Sequence, residues 1–151
     1  MYQVLIFAAI LAAAMLVGLM ATLLSVMRAM WRGQADDDAA RNLQDFLRHA
    51  ATNRILSTLT IIPIACSIAI GFLGAPTTAK YACAMTGGGV FLTGFFLWTA
   101  VFNLPIYTTV SRWDLATTPA DVRSVISRFH RVNAVRLCAA LITSGLFFLA
   151  A

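Results

Sequence analysis

Apolar residues fall in four long runs along this chain, and the segments between the runs hold nearly all of its charge. The first run, Val4 to Met27, has no charged residue in 24 positions, enough at about 1.5 Å rise per residue to cross a hydrocarbon layer of about 30 Å. Two more runs follow, Ile55 to Leu73 and about Tyr81 to Asn103. The last, Leu137 to Ala151, is only 15 residues long, short of the roughly 20 that a span needs. Its helix must therefore begin near Val132 or Asn133, with Arg136 inside the first membrane turn. The pattern predicts an all-α, four-helix transmembrane bundle in a single integral membrane domain, residues 1–151, with spans at about 4–27, 55–73, 81–103 and 132–151.

The polar segments carry helix signals of their own. Asp36, Asp37 and Asp38 suit the positive end of a helix, and Leu43, Phe46, Leu47 and Ala50 then give an i, i+3, i+4, i+7 apolar stripe. This predicts an amphipathic helix in the first loop, lying along the membrane surface. Further on, Thr118-Pro119-Ala120-Asp121 offers a cap, a proline at the first helical position and an early acid, which predicts one long last helix from Pro119 to the chain end. Along it Val122, Ile126, Phe129, Asn133 and Arg136 recur at helical spacing, so the two polar residues continue an apolar stripe and are expected to face the bundle.

Small residues inside the runs point to close helix packing. Ala14, Gly18, Ala21 and Ser25 share one face of the first span and predict a packing seam. Gly87-Gly88-Gly89 and Gly94 do the same for the third. No Lys-Ser/Thr follows the glycines and no strand precedes them, so a phosphate loop is excluded. Pro63 removes a backbone donor and predicts a kink midway along the second span.

Composition agrees with the pattern. The chain is 60% hydrophobic and 11% charged, with a mean hydropathy of +0.83, against about a quarter charged in a soluble domain. The net charge of +5 forms no basic stripe and gives no case for nucleic acid. Five of the eleven basic residues lie between Arg28 and Arg54 and five between Arg112 and Arg136, leaving Lys80 alone in the second connection. By the positive-inside rule both long loops are cytoplasmic and both termini outside. The N-terminus has no basic n-region and its apolar run exceeds a signal-peptide core, so the first span is expected to be retained.

This topology puts Asn53, Asn103 and Asn133 at the same end of the bundle. One reading is a shared polar pocket with Arg136 as the partner of an anion; the other is that the amides cap helix ends and Arg136 reaches lipid phosphate. His130 is a candidate general base, since a neutral imidazole can take a proton near pH 7. His49 is the only other histidine, and two histidines without a third ligand fixed by spacing define no metal site. Cys66, Cys83 and Cys138 stand one per helix, form no CxxC and read as buried structural thiols. Trp31 and Trp113 suit an interfacial aromatic belt, and Trp113 suits equally the roof of a pocket.

Asn103-Leu104-Pro105-Ile106, Trp113-Asp114, Pro119-Ala120-Asp121 and Phe129-His130-Arg131-Val132-Asn133-Ala134-Val135-Arg136 before a closing apolar span resemble the anthrone oxygenase-like family of small four-span membrane proteins. Gly18-Leu19-Met20-Ala21 and Ala50 to Ile55 extend the resemblance over nearly the whole chain. Two positions depart from the family pattern: Tyr107 stands where a second Asn is usual and Phe129 where Trp is frequent. The resemblance implies oxidation of a phenolic or quinol-type compound by dioxygen without a cofactor, in a bacterial inner membrane. It implies His130 and Arg136 as catalytic residues, Asn103 and Asn133 as substrate-binding residues, and a small aromatic or quinone-like ligand; the pocket reading adds Asn53 and Trp113 to the substrate-binding set. The competing class is a non-catalytic membrane protein that binds a lipid, quinone or protein partner. A small transporter is disfavoured because no Asp, Glu or Lys lies within a span and no inverted repeat is apparent.

Overall fold

The computed structural model describes residues 1–151 and contains helices and turns only. Four helices are long and apolar enough to cross a membrane: α1 (Tyr2–Gly33), α3 (Arg54–Leu73), α4 (Thr78–Ser111) and α5 (Val122–Ala150). The amphipathic helix of the first loop is α2 (Asp36–Thr52). The protein is an all-α four-helix transmembrane bundle in which α1 packs on α3 and α5, and α4 packs on α5 and α3. Large side chains such as Phe7, Leu11, Ile61, Ile68, Phe72, Leu141, Ile142 and Phe148 stand exposed around it. That surface belongs in lipid, because nothing else would solvate it.

The ends of the bundle are distinct. At one, Tyr2 donates from its hydroxyl to the Ala150 carbonyl at 2.8 Å and Lys80 Nζ donates to the Ala151 oxygen at 2.7 Å, so both termini meet the short α3–α4 turn. Gly74 ends α3 there with φ of 76°, a left-handed conformation open to glycine at little cost. At the other end lie α2 and the 112–121 connection. Leu43 and Leu47 of α2 are buried against α4 and α5 with Phe46 half-buried beside them, as the amphipathic pattern implies. Arg123 ties α1 to the start of α5, donating from Nη1 to the Trp31 carbonyl at 2.8 Å and from Nη2 to the Gln34 carbonyl at 2.6 Å, and pairing with Asp36.

Three expectations are corrected. The face Ala14, Gly18, Ala21 and Ser25 is exposed; the buried line of α1 is Ile6, Ala9, Ala13, Leu16, Met20 and Leu23. A helix that is apolar all round offers lipid and protein equally acceptable faces, so small-residue spacing alone picked the wrong one. The last helix starts at Val122 and not at Pro119, because Ala120 and Asp121 form a turn in which the Val122 N–H reaches the Pro119 carbonyl at 3.4 Å. Cys138 is exposed, so only Cys66 is a fully buried thiol.

The glycines of α4 do bring backbones together. A Cβ on Gly88 would overlap Ser67 Oγ and Cβ of α3, and one on Gly94 would stand 2.9 Å from Ala139 Cβ of α5. Thr143 Oγ1 donates to the Gly87 carbonyl at 3.2 Å, joining the same two helices. Gly88→Ala should therefore destabilise the bundle by about 1–3 kcal/mol through overpacking. Gly89→Ala, which meets nothing within 4 Å, should be neutral or stabilising by up to about 1 kcal/mol. Thermal unfolding of the two purified variants in one detergent checks the pair.

Candidate functional site

The polar centre of the bundle is built where α4 and α5 meet, near the α2 end. Below Phe91, α4 widens into two π-helical stretches, Leu92–Leu97 and Thr99–Asn103. Pro105 lies just beyond, and its missing N–H deprives the Val101 carbonyl of the ordinary i+4 donor. Each widened turn rotates the residues after it, since one extra residue is about 100° of helix. In the resulting register Trp98 Nε1 donates to the Val132 carbonyl at 3.2 Å and Asn103 is fully buried against α5.

On α5 the predicted stripe is the buried one: Val122, Ile126, Phe129, Asn133 and Arg136 all face inward. Asn133 Nδ2 donates to the Phe129 carbonyl at 2.8 Å, which fixes its amide. Its Oδ1 accepts from Arg136 Nη1 at 2.7 Å and from Asn103 Nδ2 at 3.3 Å. The guanidinium carbon of Arg136 lies 4.3 Å from the centre of the Phe95 ring, and that ring stacks on Phe91 at 4.7 Å. Arg136 is 6% exposed, yet its neighbours are an amide and an aromatic face. The six acidic residues, Asp36, Asp37, Asp38, Asp45, Asp114 and Asp121, are all outside the membrane helices, and the one salt bridge is Arg123–Asp36. A buried cation held only by neutral groups is costly and supplies an unused attraction for an anion.

Unpaired polar atoms surround this centre. Arg136 Nε and Asn103 Oδ1 are buried without hydrogen bonds, and so are both ring nitrogens of His130 and the indole nitrogen of Trp31. His130 is 4% exposed, three residues before Asn133, with its ring centre 5.4 Å from that of Trp31. Trp31 is fully buried among Phe46, Phe129 and His130, not in an interfacial belt, because Arg123 holds its carbonyl and draws the end of α1 over α5.

Asn103, Asn133 and Arg136 are thus brought together, with His130 on the adjoining turn. Trp113 lines a cavity of about 680 Å³ between α2 and the end of α4, together with Gln44, Arg48 and Tyr107. Asn53 lies elsewhere. Its side chain accepts the Leu56 N–H at 3.0 Å as the cap of α3, and it lines a separate groove of about 680 Å³ between α1 and α3 with His49, Gly18 and Leu56. His49 is exposed and bonds to the Asp45 carbonyl of its own helix. Phe95 carried no signal in the sequence, since an aromatic residue in an apolar run reads the same whether it meets a cation or lipid, and Trp31, flanked by Arg28 and Arg32, signalled the interface instead.

Asn133→Ala removes the acceptor that Arg136 and Asn103 share and should cost about 2–4 kcal/mol, because it leaves a buried charge with less compensation. Arg136→Met, which removes the charge itself, should leave stability within about 1 kcal/mol or raise it. Unfolding of both variants, followed by circular dichroism in detergent, measures the contrast.

No curated protein and no solved structure matches the chain with significance. A family profile does: that of anthrone oxygenase matches residues 46–146, taking in the end of α2, all of α3 and α4, most of α5, and all of Asn103, His130, Asn133 and Arg136. Over two helices the Asn-Leu-Pro-Ile and His-Arg-Val-Asn-Ala-Val-Arg segments meet as one polar centre within a four-helix membrane bundle, and the chain belongs to the anthrone oxygenase family.

Proposed function

We propose that this protein is a membrane-embedded, cofactor-independent oxygenase that converts the acidic CH2 of a phenolic, anthrone-type compound to a ketone. The observation that carries the reading is Arg136, a cation buried without a carboxylate and with a free Nε–H. When an anthrone loses a ring proton, the charge moves to the oxygen on the far side of the ring, and an oxyanion is what Arg136 lacks. His130, with both ring nitrogens unpaired, takes the proton. It stands six residues before Arg136, about 9 Å along the helix and about 120° around it, so base and cation meet a substrate from different sides. Asn103 Oδ1, also unpaired, accepts from a neighbouring phenolic hydroxyl. The carbanion gives its electrons to dioxygen, a C–O bond forms, and the hydroperoxide loses water to leave the ketone. One O2 is consumed and one water released per substrate.

The basic residues on the α2 side support an orientation with both long loops in the cytoplasm of a bacterial inner membrane and both termini outside. A second reading, non-catalytic binding of a lipid or quinone, draws on the apolar groove between α1 and α3, which opens among exposed apolar side chains.

Oxygen uptake by membranes containing the protein, offered a panel of anthrones and hydroquinones, tests the choice. Arg136→Met should lower turnover about 10²–10³-fold through loss of oxyanion stabilisation. His130→Gln should lower it about 10²–10⁴-fold through loss of the base. Uptake no greater than that of the folded Arg136→Met variant would reject the oxygenase and leave the binding protein.

A further inference from the structure

The polar centre extends along α4 toward the cavity beside α2. Asn103 and Tyr107 are four residues apart on that helix, which places them on one face about a turn from each other. Asn103 is linked to Arg136 through Asn133 Oδ1, which accepts from both, and Tyr107 is half-buried between the inward Asn103 and Ile106 and the exposed Leu104 and Thr108. The Tyr107 side chain forms part of the wall of the cavity lined by Gln44, Arg48, Thr108, Ser111 and Trp113. Tyr107 therefore stands between the inward face that carries Asn103 and open space.

The cavity has the size and make-up of a ligand site. About 680 Å³ is within the usual range for small-molecule pockets. Two aromatic side chains, Tyr107 and Trp113, and the aliphatic Leu47 and Leu104 offer flat apolar contact. Arg48, exposed at the rim, adds a positive charge. Gln44 keeps the wall in place by donating from Nε2 to the Val110 carbonyl at 2.8 Å and to the Trp113 carbonyl at 3.3 Å. The α1–α3 groove is of equal volume but is lined by Thr22, His49, Asn53 and mostly apolar residues, none of them bonded to Arg136. Volume does not separate the two; Tyr107, one helical turn from Asn103, does.

We infer that the α2–α4 cavity is the mouth of the Arg136 site, that Tyr107 is its gate, and that it admits a planar phenol or quinol, hydroxyl first, from the α2 side. This rests on the oxygenase reading for what happens inside, but not for the binding itself. Arg48 draws the partly ionised phenol to the rim, Trp113 and Tyr107 cover its ring faces, and rotation of the Tyr107 side chain passes its oxygen to Arg136. Tyr107 is a positioning residue here and takes no part in the proton transfer.

Ligand protection of engineered thiols tests this without reference to turnover. Thr108 lines the cavity and Thr22 the groove, and both are exposed. Thr108→Cys and Thr22→Cys are made separately in a Cys83→Ser, Cys138→Ser background, reconstituted in nanodiscs, and labelled with a soluble maleimide with and without a dihydroxyanthraquinone. At about ten times the dissociation constant, labelling at an occupied position should slow about tenfold. Slowing at Thr108→Cys and not at Thr22→Cys is expected, with Tyr107→Ala in the same chain weakening protection while labelling without ligand stays unchanged. Protection confined to Thr22→Cys, or none at either position, overturns the inference. Tyr107→Phe, which keeps the ring, guards against misreading a folding defect in Tyr107→Ala and should retain protection. Protection at Thr108→Cys without oxygen uptake by the parent protein would sink the oxygenase reading and leave the mouth standing; uptake with protection only at Thr22→Cys would do the reverse.

Discussion

An arginine inside an apolar bundle with no acid to meet it is the constraint on which the centre of this protein depends. Removing a guanidinium from water is expensive, and a carboxylate would be the ordinary compensation. Here the compensation is spread over neutral groups: Asn133 Oδ1 at 2.7 Å, a ring face at 4.3 Å, and an amide pair that holds the acceptor in place. Each partner has its own support, since Asn133 is pinned to the Phe129 carbonyl and Phe95 is stacked on Phe91. The result tolerates the charge without neutralising it, which is the electrostatic state a transient oxyanion would exploit.

That arrangement places demands on the helices around it. The π-helical turns of α4 and Pro105 after them set the face that Asn103 presents. The missing Cβ atoms of Gly88 and Gly94 allow α4 to approach α3 and α5 closely enough for an amide on one helix to reach an amide on the next. Arg123 holds the end of α1 across α5 and so lays Trp31 against His130. Most of these devices cost local regularity in a helix, through glycine, proline or a widened turn, and such departures gather at functional sites.

Much of the fold could be read along the chain because bilayer solvation leaves few choices. A run of about 20 apolar residues has to be a helix or the wall of a closed barrel. The Val122, Ile126, Phe129, Asn133, Arg136 stripe was legible because polar residues at helical spacing inside an apolar face have to be inside the protein. Legibility failed where every option was apolar. Ala14, Gly18, Ala21 and Ser25 made a good seam on paper and lie on the outside, whereas Ala9 and Ala13 pack within. Asn53 matched Asn103 and Asn133 in depth, but depth does not specify azimuth, and it caps α3 beside a different cavity.

By itself the sequence determined the class of protein, the four membrane helices, the surface helix between the first two, the inward face of the last helix and the family, since these follow from hydrophobic period, length and local motif. The tertiary structure alone decided which neutral groups meet Arg136, that Trp31 covers His130, and that Tyr107 lines a cavity beside α2. Those are relations of azimuth and register between helices. In a bundle whose helices are apolar on every side they are set by ridges, small residues and widened turns from several segments at once, and no single stretch of chain contains them.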